Sequence, residues 1–131
     1  MTTSEMYTEM IIDYSQNPKN FGKIENAVIL FKDVNPSCGD VIEISASLEK
    51  ETIKDIKFSG SGCAISMAAA ELLTENLKGK KIEEGKILNK EDIFKMLGIE
   101  LSPLRIKCAL LCLKTFKCGL YNYMGEKLND E

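Results

Sequence analysis

The sequence predicts an α+β fold in which a three-stranded antiparallel sheet, wound as a meander, packs against about four to five helices. Three observations predict it. Residues 41–48 alternate, with Ile42, Ile44, Ala46 and Leu48 on one side and Glu43, Ser45 and Ser47 on the other, the period of a half-buried strand. A β-rich run over 28–34 precedes it and another over 52–58 follows after the short turn Glu49-Lys50-Glu51. Apolar residues at helical spacing, flanked by capping and stop signals, occupy both ends of the chain.

In order, Thr2 and Glu5 have the spacing of a capping box, and Met6, Tyr7, Met10, Ile11 and Tyr14 mark one face of a first helix reaching about Ser15. Asn17-Pro18-Lys19-Asn20-Phe21-Gly22 ends it, because proline disfavours helix in the residue before it and Asn and Gly suit turns. Beyond the three strands, Phe58-Ser59-Gly60-Ser61-Gly62-Cys63-Ala64 reads as a β run ending in a two-glycine turn. An alanine-rich helix follows through Met67, Leu73 and Leu77 and ends at Gly79, a residue suited to the left-handed cap. Residues 79–90 read as a polar surface excursion. Asn89 caps a short helix over 90–97, which Gly98 closes. Ser102 and Pro103 start the last long helix, whose apolar face takes in Leu104, Cys108, Leu111, Cys112, Thr115 and Phe116. The tail from 121 to 131 has no clear periodicity and is expected to fray.

Composition bounds the function. With 131 residues, 44% of them hydrophobic, the whole chain, 1–131, is expected to form one domain with its own core. A net charge of -3 gives no reason to expect nucleic acid or an anionic membrane as partner. The N-terminus lacks the basic segment and apolar stretch of a signal peptide, so a cytoplasmic location is expected. Five cysteines in a chain without histidine are then better read as ligands, nucleophiles or buried thiols than as cystines.

Three cysteines have distinctive settings. Cys38 lies in Asn35-Pro36-Ser37-Cys38-Gly39-Asp40, a turn with no apolar neighbours to recruit it into a core. Cys63 is expected in the first turn of the alanine-rich helix, where free N–H groups and the positive end of the helix favour an anionic sulfur. Cys108 falls near the start of the last helix, in a stretch between Leu101 and Leu120 whose charges, Arg105, Lys107, Lys114 and Lys117, are all positive. Cations at 105 and 107 are expected to favour its thiolate. In a meander, the turn joining strands one and two lies at the end where strand three finishes, which brings Cys38 and Cys63 together. Cys112, one turn beyond Cys108, reads as core packing, with a spare ligand or sulfur relay as the alternative; Cys118 reads as structural.

With Asp40, the three cysteines make a set of three thiolates and one carboxylate. Zinc accepts such a set, and so does an iron-sulfur cluster in which oxygen replaces the fourth thiolate. A hard oxygen is a poorer match than a soft thiolate for cluster iron, so such a cluster is held less firmly, which suits delivery. A plain interaction protein with buried cysteines is the third reading, disfavoured by the meander's gathering of ligands.

On these residues the chain resembles the U-type iron-sulfur cluster assembly scaffolds, the IscU/NifU N-terminal family. Tyr7 with Ile12-Asp13 and the segment Asn17-Pro18-Lys19-Asn20-Phe21-Gly22 resemble the family's opening. Asn35-Pro36-Ser37-Cys38-Gly39-Asp40 and Gly60-Ser61-Gly62-Cys63-Ala64-Ile65-Ser66 resemble its first two ligand motifs, and Leu101-Ser102-Pro103-Leu104-Arg105-Ile106-Lys107-Cys108 resembles the third in part. The resemblance implies an IscU/NifU-like scaffold, not an enzyme. It would combine iron with persulfide sulfur from a cysteine desulfurase into a [2Fe-2S] cluster and pass the cluster to apoproteins. Cys38, Asp40, Cys63 and Cys108 would hold it, Asp40 keeping the site labile and Cys108 accepting the persulfide. A second copy could shield the cluster in a homodimer.

Two departures qualify this. Lys107 stands where bacterial-type scaffolds carry histidine and resembles the SufU subgroup, zinc-containing sulfurtransferases that accept persulfide from a desulfurase. The interval from 63 to 108 is too short to hold the insertion that the subgroup carries between its second and third cysteines. Ser102, Leu104 and Arg105 replace the common Pro, Val and Lys, so no heat-shock chaperone partner is implied.

Overall fold

The computed structural model describes residues 2–125. The elements run α1 (Thr3–Gln16), β1 (Ile29–Asn35), β2 (Asp40–Glu49), β3 (Thr52–Ser61), α2 (Ala64–Leu77), α3 (Ile82–Lys86), α4 (Lys90–Leu97) and α5 (Pro103–Met124). The sheet order is β1-β2-β3 with both pairs antiparallel, the expected meander with five helices. Ile42, Ile44 and Ala46 are buried with Ile29, Ile53, Ile56 and Phe58, while Leu48, beyond an irregularity at Ser47/Leu48, is half-buried. α2 and α5 cover the apolar face of the sheet, and α1 and α4 pack onto α2. The alanines of α2, Ala68 to Ala70, are fully buried and let that helix lie close.

β3 runs three residues further than its apolar pattern, to Ser61, pairing Gly60 with Ile42 and Ser61 with Val41. The reason is steric. Gly60 has φ +137°, and a methyl group there would run into the Val41 carbonyl, so only a residue without Cβ lets the two strands stay paired.

The Thr2–Glu5 capping box forms, with Thr2 N–H donating to Glu5 Oε1 at 2.8 Å and Glu5 N–H to Thr2 Oγ1 at 3.1 Å. The buried face of α1 is narrower than expected: Ile11 is buried and Tyr7 and Tyr14 are half-buried, but Met6 and Met10 are exposed. The stretch read as a surface excursion contains α3, tied to β3 through Ile53 N–H to Lys80 O (2.8 Å) and Ile82 N–H to Glu51 O (2.9 Å). Ile82 and Gly85 are its buried residues, Gly85 lying against the Phe116 ring; two apolar contacts in five residues leave no period to read. Residues 121–124 complete α5 rather than fraying, and Gly125 caps it at φ +76°; the rest of that tail lies outside the described residues.

The 17–22 segment is more than a connector. Phe58 N–H donates to Asn20 O (2.9 Å) and Gly22 N–H to Phe58 O (2.8 Å), and the Phe21 ring meets the Phe58 ring edge-on at 5.4 Å.

Gly60→Ala is expected to cost about 1–3 kcal/mol of stability, measured as a lower urea midpoint at unchanged slope. An unchanged midpoint would show that the β2–β3 pairing near Val41 is not the tight contact described.

Candidate metal centre

The register puts the site together. Asn35 pairs with Asp40 across the β1–β2 turn, and Val41 pairs with Ser61, so the turn carrying Cys38 and the exit of β3 toward Cys63 share one end of the sheet. α5, crossing beneath β1 and β2, delivers Cys108 from its second turn. Cys38 Sγ lies 3.1 Å from Cys108 Sγ and 3.2 Å from Asp40 Oδ2. One ligand atom from each of Cys38, Asp40 and Cys108 falls within 4.8 Å of the others. Ligand atoms about 2.0–2.3 Å from a tetrahedral ion stand roughly 3.3–3.8 Å apart; the 3.1 and 3.2 Å separations here are slightly shorter, so a small outward shift of these side chains would seat a shared metal, and the two sulfurs are not bonded to each other.

Cys63 stands at the edge of this group. Its sulfur does not lie within 4.8 Å of all three other ligand atoms, but its backbone N–H donates to Asp40 Oδ1 at 3.3 Å. It is the N-cap of α2 rather than a residue of its first turn, and the amide expected to face an anionic sulfur is bonded to the carboxylate. Gly62 makes the approach possible: a Cβ there would meet Ser66 Oγ and, at 2.8 Å, Asp40 Oδ1. Asp40 is 2% exposed. Its two oxygens are divided between the N-terminus of α2 and Cys38, a placement that the helix dipole favours for a buried anion.

The electrostatics of Cys108 differ from expectation. Burial, first, and then hydrogen bonding to Cys38 and Asp40 push its thiol well above the usual range, so the metal-free site holds it protonated. The cation is shared between two cysteines: Arg105, exposed on the first turn of α5, is raised chiefly by the charge of Cys63 and then by hydrogen bonding to Cys108. Lys107 lines a cavity of about 280 Å³ with Val34, Asn35, Pro36, Leu110, Leu111 and Lys114. Cys112 is fully buried, its thiol pushed up to about 12 by burial, in keeping with core packing. Cys118 is half-buried.

Two residues at the site received no role from the sequence. Asn35 Nδ2 donates to Cys38 Sγ at 3.1 Å while its Oδ1 accepts Ser37 N–H at 3.1 Å, an arrangement for which an Asn before a Pro turn was the available signal. Ser66 Oγ donates to Cys63 O at 3.0 Å, one turn into α2.

A buried carboxylate amid thiols, at the end of a three-stranded meander backed by helices, defines a small α+β protein with a candidate metal site of mixed sulfur and oxygen donors. Residues 6–130 match the profile of the NifU-like N terminal domain, and the chain belongs to that family. It is 33% identical over 137 residues to the zinc-dependent sulfurtransferase SufU of Bacillus subtilis, covering 92% of each chain. It is 35% identical over 139 residues to the iron-sulfur cluster assembly scaffold protein IscU of Thermotoga maritima, covering 92% of this chain and 96% of that one. FiSufU, a SUF-system protein from Fervidobacterium islandicum AW-1, superposes with a TM-score of 0.78 at 33% identity, over 91% of this chain and 99% of its own. The N-terminal NifU-like protein of Brucella abortus shares the fold, with a TM-score of 0.74 at 12% identity over 93% and 96% of the two chains.

In the metal-free protein at neutral pH, alkylation followed by peptide mass mapping is expected to modify half-buried Cys38 and Cys63 before buried Cys108 and Cys112. Because the Cys108 pKa is raised, its thiolate fraction and labelling rate should climb only as pH rises well above the ordinary thiol range. Fastest labelling at Cys108 at neutral pH would contradict the buried, protonated thiol.

Proposed function

We propose that this chain is a scaffold on which a labile [2Fe-2S] cluster is built from iron and desulfurase-derived persulfide sulfur, and from which the cluster passes to apoproteins. The observation that carries the reading is the meeting of Cys38, Asp40 and Cys108 within 4.8 Å at the end of the sheet where Cys63 also emerges, in a chain of the NifU-like family. The two irons of such a cluster need four protein ligands between them, and Cys38, Asp40, Cys63 and Cys108 supply that number. Asp40 is the weak member, a hard oxygen among soft sulfurs, and gives the cluster a bond that breaks first. Partial exposure of Cys38 and Cys63 leaves the cargo open to an acceptor.

Sulfur delivery needs a nucleophile. Cys108, once deprotonated, attacks the outer sulfur of the donor's persulfide; the donor S–S bond breaks and the donor cysteine leaves as thiolate. The protein acts as acceptor and carrier rather than as a catalyst, in a reducing, cytoplasmic setting. Among the described residues no helix is long and apolar enough to cross a membrane.

The Lys107–Cys108 pair and the SufU relative favour a second reading, in which the same four ligands hold zinc and the protein relays persulfide as a zinc-dependent sulfurtransferase. Zinc accepts this ligand set tetrahedrally and, when bound, keeps its thiols deprotonated.

Strictly anaerobic purification of wild type and Asp40→Ala, with visible spectra and iron, sulfide and zinc analysis, separates the two. Near-stoichiometric iron and acid-labile sulfide, with slower cluster loss from Asp40→Ala, is the expected result. A colourless protein with about one zinc per chain, unable to assemble a cluster with desulfurase, cysteine and ferrous iron, would replace the scaffold with the zinc relay. Persulfide transfer to Cys108→Ser at the wild-type level would exclude Cys108 as acceptor.

A further inference from the structure

We propose that the Asn17-Pro18-Lys19-Asn20-Phe21-Gly22 segment is a brace across the corner between β3 and α2, and that Glu71 is a positioning residue that sets where Cys63 stands relative to the other ligands. This rests on the reading of Cys63 as a ligand.

Cys63 is carried by an elbow. The chain leaves β3 at Ser61 and enters α2 at Ala64 through Gly62, with Gly60 just before at φ +137°, so the corner has two residues without side chains to stiffen it. The Cys63 side chain makes no cap for α2. Its sulfur also lies outside the compact group formed by Cys38, Asp40 and Cys108. Of the four ligands, Cys63 is therefore the one whose position depends on the angle of the corner.

The brace spans that angle. On the strand side it is fastened to Phe58 by two backbone hydrogen bonds, Phe58 N–H to Asn20 O and Gly22 N–H to Phe58 O, and by the edge-on ring contact of Phe21. On the helix side it is fastened to Glu71, about two helical turns into α2. Glu71 Oε1 accepts Asn20 N–H at 3.0 Å and Oε2 accepts Lys19 N–H at 3.1 Å. Asn20 Nδ2 adds a bond to Glu75 Oε1 at 3.1 Å. Phe58, Cys63 and Glu71 thus form a triangle with Cys63 at its apex, and the segment closes the side opposite.

The chemistry of the brace is costly for a mere connector. Glu71 is a carboxylate at 2% exposure in the middle of a helix, and both of its oxygens are committed to the N–H groups of the segment, which are charge-assisted bonds of the strong kind. Asn20, 1% exposed, leaves its Oδ1 without a hydrogen-bond partner among the described residues, a penalty native structures rarely carry. An apolar pair would have joined the segment to α2 without either cost; two opposed N–H···carboxylate bonds also fix its distance and direction.

The test is a double-mutant cycle read as zinc affinity, by anaerobic competition against a chromophoric chelator at fixed pH, on wild type, Glu71→Ala, Cys63→Ser and the double variant. Metal-free melts monitor folding of each. Glu71→Ala is expected to lower zinc affinity roughly tenfold in the wild-type background, the scale of outer-shell support, and to change it by less than about twofold once Cys63 is gone. Phe21→Ala, which loosens the strand-side anchor at a half-exposed ring, is expected to act in the same direction and only when Cys63 is present, and it serves where Glu71→Ala does not fold. An equal loss in both backgrounds would overturn the brace and leave the ligand set standing. Zinc affinity unchanged by Cys63→Ser would overturn the ligand reading and the brace with it.

Discussion

The ligand end of this protein depends on a buried carboxylate. Asp40 opens β2 at 2% exposure, takes the Cys63 N–H on one oxygen and stands 3.2 Å from the Cys38 sulfur with the other. An anion in that position is tolerated only because the start of α2 and the neighbouring S–H compensate its lost hydration. The same two contacts tie three segments of the chain to one point: the β1–β2 turn, the elbow after β3 and, through the Cys38–Cys108 contact, α5.

Glycine makes the approach of those segments possible. Gly60 keeps β3 paired with β2 past the last apolar residue, and Gly62 lets the elbow pass beside Asp40 without a Cβ in the way. Both act by absence of volume, so the site is assembled by close backbone approach and not by an apolar pocket. Beneath it, the alanines of α2 let helix and sheet come together, and Cys108 and Cys112 enter the core at consecutive turns of α5. Of the two, Cys108 has polar sulfur and oxygen neighbours, and the Cys112 thiol donates to the Ala109 carbonyl at 3.5 Å.

Burial sets the chemical state of the site in a way that charge along the chain does not. Lys107 is next to Cys108 in sequence and so points to a different side of the helix, whereas Arg105, three residues earlier, shares the Cys108 face. Arg105 interacts with both Cys63 and Cys108, Lys107 lines the cavity beside β1, and Cys108 is buried against Cys38. The buried thiol is therefore held protonated until something competes for its sulfur, and a metal bound at this position would have to displace that proton.

The sequence by itself determined the meander, four of the five helices with the caps at Thr2, Asn89, Gly98 and Ser102, and the convergence of Cys38 with the exit toward Cys63. All of these follow from local periods, turn residues and the geometry of antiparallel pairing. Local setting and topology nominated the four candidate ligands, and the resemblance implied that they act together. Only the tertiary structure decided that Cys108 meets Cys38 at 3.1 Å, that Cys63 stands apart from the compact group, and that the cation expected beside Cys108 is shared with Cys63. It also decided that α3 forms and that Glu71 fastens the 17–22 segment. Each of these depends on packing between segments far apart in the chain, where side-chain direction and burial, not spacing, set which groups meet.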